Sequence, residues 1–526
     1  MYTPIPYERS PLAPAGAQLP LIASRRPRGS DSAAIPRYRL RNKSFAFHAR
    51  TGSVMRRFAT VTTLCFFLSL GCTKKTPVDE VVASGEIADD LPPPAVTDTD
   101  WPWWRGPTRN GIAVGDAPPT TWSESENVVW KTNIPGRGHS SPTVVGDRIY
   151  LATSDESART QSVLALDRSS GDLLWQTELN EGELPRAMHH NSTHANGTVA
   201  CDGERLVIAF AHHDGITAYG LDLDGNKLWE QKLGAFVSQF GYAPSPLIYK
   251  SLAIVACDNK GGGYLAAVHR GTGDVIWRRP RPAISTYSSP TVAEVGGRQR
   301  LLISGCDLIA SYDPDTGEEL WTQAGPTEAT CGTMVWDGGM VFASGGYPGS
   351  ETAGLNAETG EKVWSNPEKC YEQSLLAHDG HIYAATNNGA YCWTADTGEE
   401  KWRGRLAGKL SASPVLIGDL IYATNEAGTT HVFRATPDAF ELVAENQLGN
   451  EAFATPTICG GRMYARVAST ASGQREEWLY CIGAAETEPA GSTASGADGS
   501  SELLRVAGGK AVTPATSALQ NRETAP

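Results

Sequence analysis

The sequence predicts an all-β fold, an eight-bladed propeller of four-stranded antiparallel blades, with a seven-bladed ring as the alternative. Three observations predict it. The first is a repeated phrase, Asp313-Pro314-Asp315-Thr316-Gly317-Glu318-Glu319-Leu320-Trp321, with copies ending at Trp175, Trp229, Trp277, Trp364 and Trp402. Its spacing wanders over roughly 40–50 residues, the range of propeller blades. The second is a hairpin pattern ahead of the phrase, as in Thr143–Ala152 and Val415–Thr424, where two β-branched or aromatic runs flank a Gly/Asp turn. The third is a mismatch between the two ends: the last unit stops after Trp478–Gly483, one strand short, and an unaccompanied strand, Asn127–Lys131, stands before the first hairpin.

Each element of the unit has a physical reason. The runs are too short and too alternating for helices of ordinary length, so the hairpin supplies the first two strands. A third strand such as Ser162–Leu166 leads into the Asp-x-x-Thr-Gly turn. There the Asp side chain accepts backbone N–H groups, and a Gly takes the positive φ that closes the turn. These glycines are Gly171, Gly225, Gly273, Gly317, Gly360 and Gly398. The fourth strand carries the Trp. One such sheet has two faces to bury, and stacking sheets around an axis buries both. The recurring Trp then fills the wedge between neighbouring blades with a large apolar surface. A seventh, degenerate copy, Phe433–Val443, has lost the Gly and the Trp. Joining the strand that ends in Trp130-Lys131 to the incomplete last unit makes an eighth blade and closes the ring.

The repeats resemble pyrroloquinoline quinone-type propeller repeats over about residues 101–484, and they open with a Trp-rich segment, Trp101-Pro102-Trp103-Trp104-Arg105-Gly106-Pro107, associated with bacterial proteins of that family. The resemblance implies the fold. It leaves the activity open, because the same repeat builds quinoprotein dehydrogenases and the propeller lipoproteins of outer-membrane barrel assembly.

The two ends carry separate signals. Residues 55–71 combine Met55-Arg56-Arg57 with an apolar run and read as a signal peptide. Leu68-Ser69-Leu70-Gly71-Cys72 resembles a bacterial lipobox, with Ser69 where the common pattern has Leu. Cys72 is thus the expected lipidation site; the alternative is an ordinary cleaved signal. Thr73, rather than Asp, after Cys72 resembles sorting to the outer membrane. Residues 1–54 are Pro/Arg/Ser-rich, and Met55 is read as the true start; the alternative is a long leading basic region. Residues 72–100 read as an acidic, Pro-rich tether, residues 101–484 as the propeller, and residues 485–526 as a disordered tail. A net charge of −13 argues against a nucleic-acid partner.

Several residues invite a chemical reading. His189, His190, His194, His212 and His213 fall close together. They are read as polar lining at one mouth of the ring, with metal binding as the alternative. Arg137–Pro142 places a His beside two serines, but Ser-Pro recurs at Tyr287–Pro290, Ala243–Pro246 and Ser411–Pro414, which makes it a structural slot. The eight cysteines after Cys72 show no Cys-x-x-Cys spacing and are read mostly as small buried apolar residues. No adjacent cysteine pair, calcium-ligand set or long insertion matches the pattern that the resemblance implies for quinone-dependent alcohol dehydrogenases. No cofactor is therefore expected, and pyrroloquinoline quinone with calcium is the alternative. The resulting expectation is a non-catalytic, membrane-tethered scaffold on the exported side of a bacterial envelope, contacting envelope proteins or peptides and anchored through its lipidated N-terminus. The rivals are a quinone-dependent oxidoreductase and a ligand-binding sensor of the same fold.

Overall fold

Residues 79–81 and 89–484 are described by the computed structural model. The readings placed on residues 1–54, 55–71, Cys72 and 485–526 lie outside them. Eight antiparallel blades of four strands close a ring, and no helix occurs among the described residues. Blade I runs from axis to rim as Thr143–Val145, Arg148–Asp155, Thr160–Asp167 and Leu173–Glu181. Blades II to VII begin with Ala200–Cys201, Leu247–Tyr249, Thr291–Val295, Val335–Asp337, Leu376–His378 and Val415–Ile417. Their outer strands are Lys227–Ala235, Val275–Arg281, Glu319–Ala324, Lys362–Asn366, Glu400–Gly404 and Leu442–Gln447. Blade VIII joins Thr457–Cys459, Arg462–Ser469 and Glu476–Ile482 to Val128–Ile134, which pairs antiparallel with Glu476–Ile482, Trp130 opposite Cys481. The ring therefore has eight blades, closed by the strand from ahead of the first hairpin.

The core is divided into apolar layers between blades. Tyr150 and Val163 of blade I, for example, meet Leu206, Ile208 and Phe210 of blade II. Seven of the eight layers are pinned at the rim by the Trp of one blade. The indole N–H groups of Trp175, Trp229, Trp321, Trp364 and Trp402 donate to Leu223, Arg270, Ala357, Ala395 and Thr436 carbonyls of the next blade at 2.7–3.0 Å. Trp277 does the same to Pro314 at 3.3 Å, and Trp130 of blade VIII to Arg168 of blade I at 3.2 Å. The turn Gly of the receiving blade lies flat on that ring. Gly317 has φ +68°, and a Cβ there would sit 2.6 Å from Trp277 Cε3. The glycine thus serves twice, once for the turn and once for the indole.

Blade VII lacks this Trp. Its place against blade VIII is taken from outside the repeats by Trp122, buried and stacked on Tyr422 with ring centroids 6.2 Å apart. Tyr422 holds the position that Tyr150, Tyr383 and Tyr464 hold under Trp175, Trp402 and Trp130. Asn446 fixes the visitor: Trp122 N donates to its Oδ1, and its Nδ2 donates to Thr120 O, both at 2.9 Å.

Residues 89–100, the described part of the stretch read as a tether apart from 79–81, are laid along the ring. Asp90 pairs with His269 at 2.9 Å, Ala95 N donates to Asp202 O at 2.7 Å, and Asp100 Oδ1 accepts from Gly146 N at 2.9 Å. Arg270 of blade III reaches Pro92 O and forms a fully buried ion pair with Asp202 of blade II. Acidic side chains of the stretch do meet cations of the ring: Asp100 lies 3.8 Å from Arg168, and Glu80 pairs with Arg279.

Candidate functional site

The inner strands of successive blades touch around the axis, and the residues just ahead of them form two layers. The lower layer is a ring of hydroxyls. Ser141 N donates to Thr198 Oγ1 at 3.2 Å, Thr198 N to Ser245 Oγ, and Ser245 N to Ser289 Oγ, both at 2.9 Å. The chain of bonds resumes as Thr333 N to Ser374 Oγ at 3.0 Å, then Ser374 N to Ser413 Oγ and Ser413 N to Thr455 Oγ1 at 2.9 Å. At six of the eight joints a hydroxyl of one blade thus satisfies a buried N–H of its neighbour, which removes a costly orphan donor. This is the physical content of the recurring Ser-Pro slot.

At blade V the ring is reached from outside: Trp104 Nε1 donates to Thr333 Oγ1 at 2.8 Å. Trp104 belongs to the leading segment Trp101–Asn110, which spans the hub. Its main chain bonds Val144 of blade I and Cys201 of blade II. Arg109 Nη2 donates to Ile248 O of blade III at 2.7 Å, and Asn110 Nδ2 to Trp336 O of blade V at 3.0 Å. Arg105, 1% exposed, donates to Leu375 O of blade VI at 2.6 Å and Pro414 O of blade VII at 2.9 Å. Six blades are tied to one short segment, so it plugs the channel. Burial pulls the Arg105 guanidinium down to about 9, and backbone carbonyls rather than a carboxylate hold it.

Above the plug lies a blind cavity of about 460 Å3. Every blade contributes to its wall: His139, His189, Phe240, Tyr287, Cys331, Tyr371 and Glu372, Ser411, and Phe453, with Trp104 as floor and Tyr347 from a loop of blade V. His139 stacks on Phe453 with ring centroids 4.5 Å apart. Enclosure, and then Arg137, Arg466 and Arg475 nearby, hold its imidazole well below the usual histidine range. Burial pushes the Glu372 carboxyl up; Ser411 bonding opposes this, and Glu426 adds to it. Burial also pushes the Cys331 thiol and the Tyr287 phenol up. The acidic corner lies at blades VI and VII, and the guanidinium groups lie on the side of blades VIII and I.

The structure divides the histidines. His189 lines the cavity and packs on His190 at 4.1 Å between ring centroids. His194 is half-buried, and burial lowers its pKa. His212 and His213 instead flank a separate groove of about 850 Å3 between Glu181, Lys232 and Arg278. Among the described residues no group of three or more His, Cys, Asp or Glu side chains is placed to hold a metal ion. The eight described cysteines are free thiols, all buried except the half-buried Cys331. Cys257 and Cys306 each follow the second strand of their blade, Leu252–Ala256 and Arg298–Gly305. His139 and Ser141 share the cavity wall, yet neither His139 Nε2 nor Ser141 Oγ has a hydrogen-bond partner among the described residues. No Ser–His relay is built there.

Pyrroloquinoline quinone is a tricarboxylate, and this wall does not fit it. No Lys or Arg side chain lines the cavity, and its one carboxylic acid, Glu372, is held above the usual range. A calcium ion beside the quinone would find no second carboxylate in the lining.

Blades of this repeat, a Trp–Gly contact at six of the eight joints and a plugged axis define the class: an eight-bladed propeller of pyrroloquinoline quinone-like repeats. The family model described as "Outer membrane protein assembly factor BamB" matches residues 112–262, 261–375 and 372–436, more than half of the chain, and the chain belongs to that family. The protein of that name from Bordetella pertussis is 24% identical over 351 residues, 63% of this chain and 82% of its own length. The one from Legionella pneumophila is 24% identical over 120 residues, 23% of this chain, and the match spans only 30% of that relative's length. A solved europium-containing methanol dehydrogenase superposes with a TM-score of 0.54 at 12% identity, covering 73% of this chain and 98% of that one. That likeness is one of fold.

Proposed function

We propose that the protein is a non-catalytic scaffold of the bacterial envelope, anchored by a lipid on Cys72 and holding other outer-membrane assembly proteins by their extended segments. The observation that carries this reading is the outer strand of blade III. Val81 N donates to Arg278 O at 3.1 Å, and Arg278 N returns a bond to Val81 O at 2.8 Å. Glu80 pairs with Arg279 beside them. The acidic stretch 79–81 is thereby held on a blade rim by a two-bond main-chain bridge, which supports a mode in which the backbone gives affinity and side chains give selectivity.

Among the described residues no other outer strand has such a partner. The remaining rims present open edges with exposed aliphatic side chains, among them Leu174, Leu228, Leu320 and Val363. Each stands immediately before its blade's Trp, so the repeat that buries the indole turns the preceding side chain outward. The name of the relatives, an assembly factor of the outer membrane, supports partners of that kind.

The test is site-specific photocrosslinking in living cells. A benzophenone amino acid in place of Leu228, Leu320 or Val363 is expected to give discrete adducts with outer-membrane assembly proteins. The same probe at exposed Asp147, on an inner hairpin of blade I, should not. Equal labelling at every position, or none above background, defeats the proposal.

A further inference from the structure

We infer that the blind central cavity is a binding site for a small organic cation, an amine or quaternary ammonium on an apolar body, with Glu372 as its counter-ion. This goes beyond the docking role of the rims and does not depend on it. The walls are the first argument. Trp104, Phe240, Tyr287, Tyr347, Tyr371 and Phe453 surround one volume, and aromatic faces attract cations, more strongly where water is excluded.

Charge is the second argument. Glu372 is the sole carboxylate of the lining, and neither Lys nor Arg joins it there. Glu426 stands at the same corner, its Oε1 accepting from Ser411 Oγ at 2.9 Å. A carboxyl backed by a second acidic group, in a lining that holds no Lys or Arg, favours a positively charged guest. His189 faces Glu426 from blade II, and Cys331 and Tyr371 face Glu372; burial lowers the imidazole pKa and raises those of the thiol and the phenol, so none of them brings a positive charge to the corner.

Unmet hydrogen-bonding capacity is the third. His139 Nε2 and Ser141 Oγ are enclosed without partners among the described residues, and Ser141 is 2% exposed. A buried polar atom without a partner is costly, and a ligand that reaches it relieves that cost. The volume of about 460 Å3 lies within the usual span of small-molecule sites, about 300–1,000 Å3. The plug makes the cavity blind, so a guest meets a Trp floor rather than passing through the ring.

The cation could be a free amine or the side chain of a lysine in a partner's loop; the site chemistry is the same. Calorimetric titration of the full chain separates them. The probes are 2-phenylethylamine, the neutral 2-phenylethanol, the anionic 3-phenylpropanoate and a capped pentapeptide with one central lysine. Saturable one-to-one binding by the amine or by the peptide is expected, with no saturation by the alcohol or the acid. Whichever of the two cations binds more tightly names the source.

Glu372→Gln should weaken binding by about tenfold or more, the size expected for a hydrogen bond to a charged group. If that variant does not fold, Glu426→Gln serves in its place and should weaken binding several-fold. The inference is overturned if the alcohol or acid binds as tightly as the amine, if the folded variant binds as the parent does, or if neither cation saturates. Crosslinks from Leu228, Leu320 and Val363 should be indifferent to added amine, so the two readings stand or fall separately.

Discussion

At Gly360 one residue answers to two demands. Its φ is +75°, and a Cβ there would lie 2.6 Å from Cδ2 and Cε3 of Trp321, the indole of the preceding blade. Replacing it by Ala adds a left-handed backbone penalty, about 1–2 kcal/mol, to overpacking of about 1–3 kcal/mol. Gly360→Ala is therefore expected to destabilise the protein by about 2–5 kcal/mol. Chemical denaturation checks this; a midpoint equal to that of the parent would show that the indole can move aside. His139 makes a different prediction. The unfolded chain takes up a proton there near the ordinary value of 6.5, whereas the folded ring, enclosed and facing Arg137, Arg466 and Arg475, takes it up only at lower pH. Stability is thus held above pH 6.5 and lost as the pH falls from there toward the folded value. Denaturation midpoints at about pH 7.5 and about pH 5.5 should differ less in His139→Gln than in the parent. Equal differences would remove His139 from the account. His189, His194 and His431, also lowered by burial, supply the remaining slope.

Elements were legible in the sequence to the degree that their causes are local. The hairpin, the Asp-x-x-Thr-Gly turn and the Trp strand each lie within a few residues, so the four-stranded blade could be read before any coordinates. The Ser-Pro slot was legible only as a recurrence. Its reason, a hydroxyl that accepts a neighbour's N–H, joins Ser374 to Ser413 and Ser413 to Thr455, partners a whole blade apart. The cavity was less legible still. Each blade gives it one or a few side chains, so Glu372 carries no local signature, and neither does the pairing of His139 with Phe453 across the seam between blades VIII and I. The histidine cluster shows the converse error to which spacing is open. His189 and His212 are near in sequence, but one blade turn separates the axis from the groove, and they line different hollows. The Trp-rich leading segment was visible as a segment and opaque as a plug, because its partners, Ile248, Trp336, Leu375 and Pro414, are spread over the whole ring.

A closed ring is as strong as its weakest joint, and the joints here are not equivalent. Seven of them carry an indole N–H bonded to the turn of the next blade. The joint between blades VII and VIII does not, and it is filled by Trp122, whose Nε1 has no partner among the described residues. Trp122 therefore contributes by packing alone, on Tyr422 and within the layer that includes Met463 and Leu479. Around it the leading strand adds further ties: Ile112–Ala113 pairs parallel with Val415–Ile417, Tyr422 Oη donates to Pro118 O at 3.2 Å, and Tyr480 Oη donates to Glu124 Oε2 at 2.6 Å. The same stretch then supplies Val128–Ile134 to complete blade VIII, so one segment repairs the defective joint and closes the ring. Trp122→Ala should cost about 3–5 kcal/mol, as much as loss of a repeat Trp such as Trp321, although Trp122 belongs to no repeat. The discriminating measurement is amide hydrogen exchange. Loss of Trp122 is expected to speed exchange in Val415–Ile417, Leu420–Thr424 and Arg462–Ser469 before it reaches blades III and IV, because the apolar cluster it packs in holds side chains of blades VII, VIII and I and none of blades III and IV. Uniform acceleration around the ring would mean that the joints open together; unchanged exchange with an unchanged melt would mean that Trp122 is not the wedge.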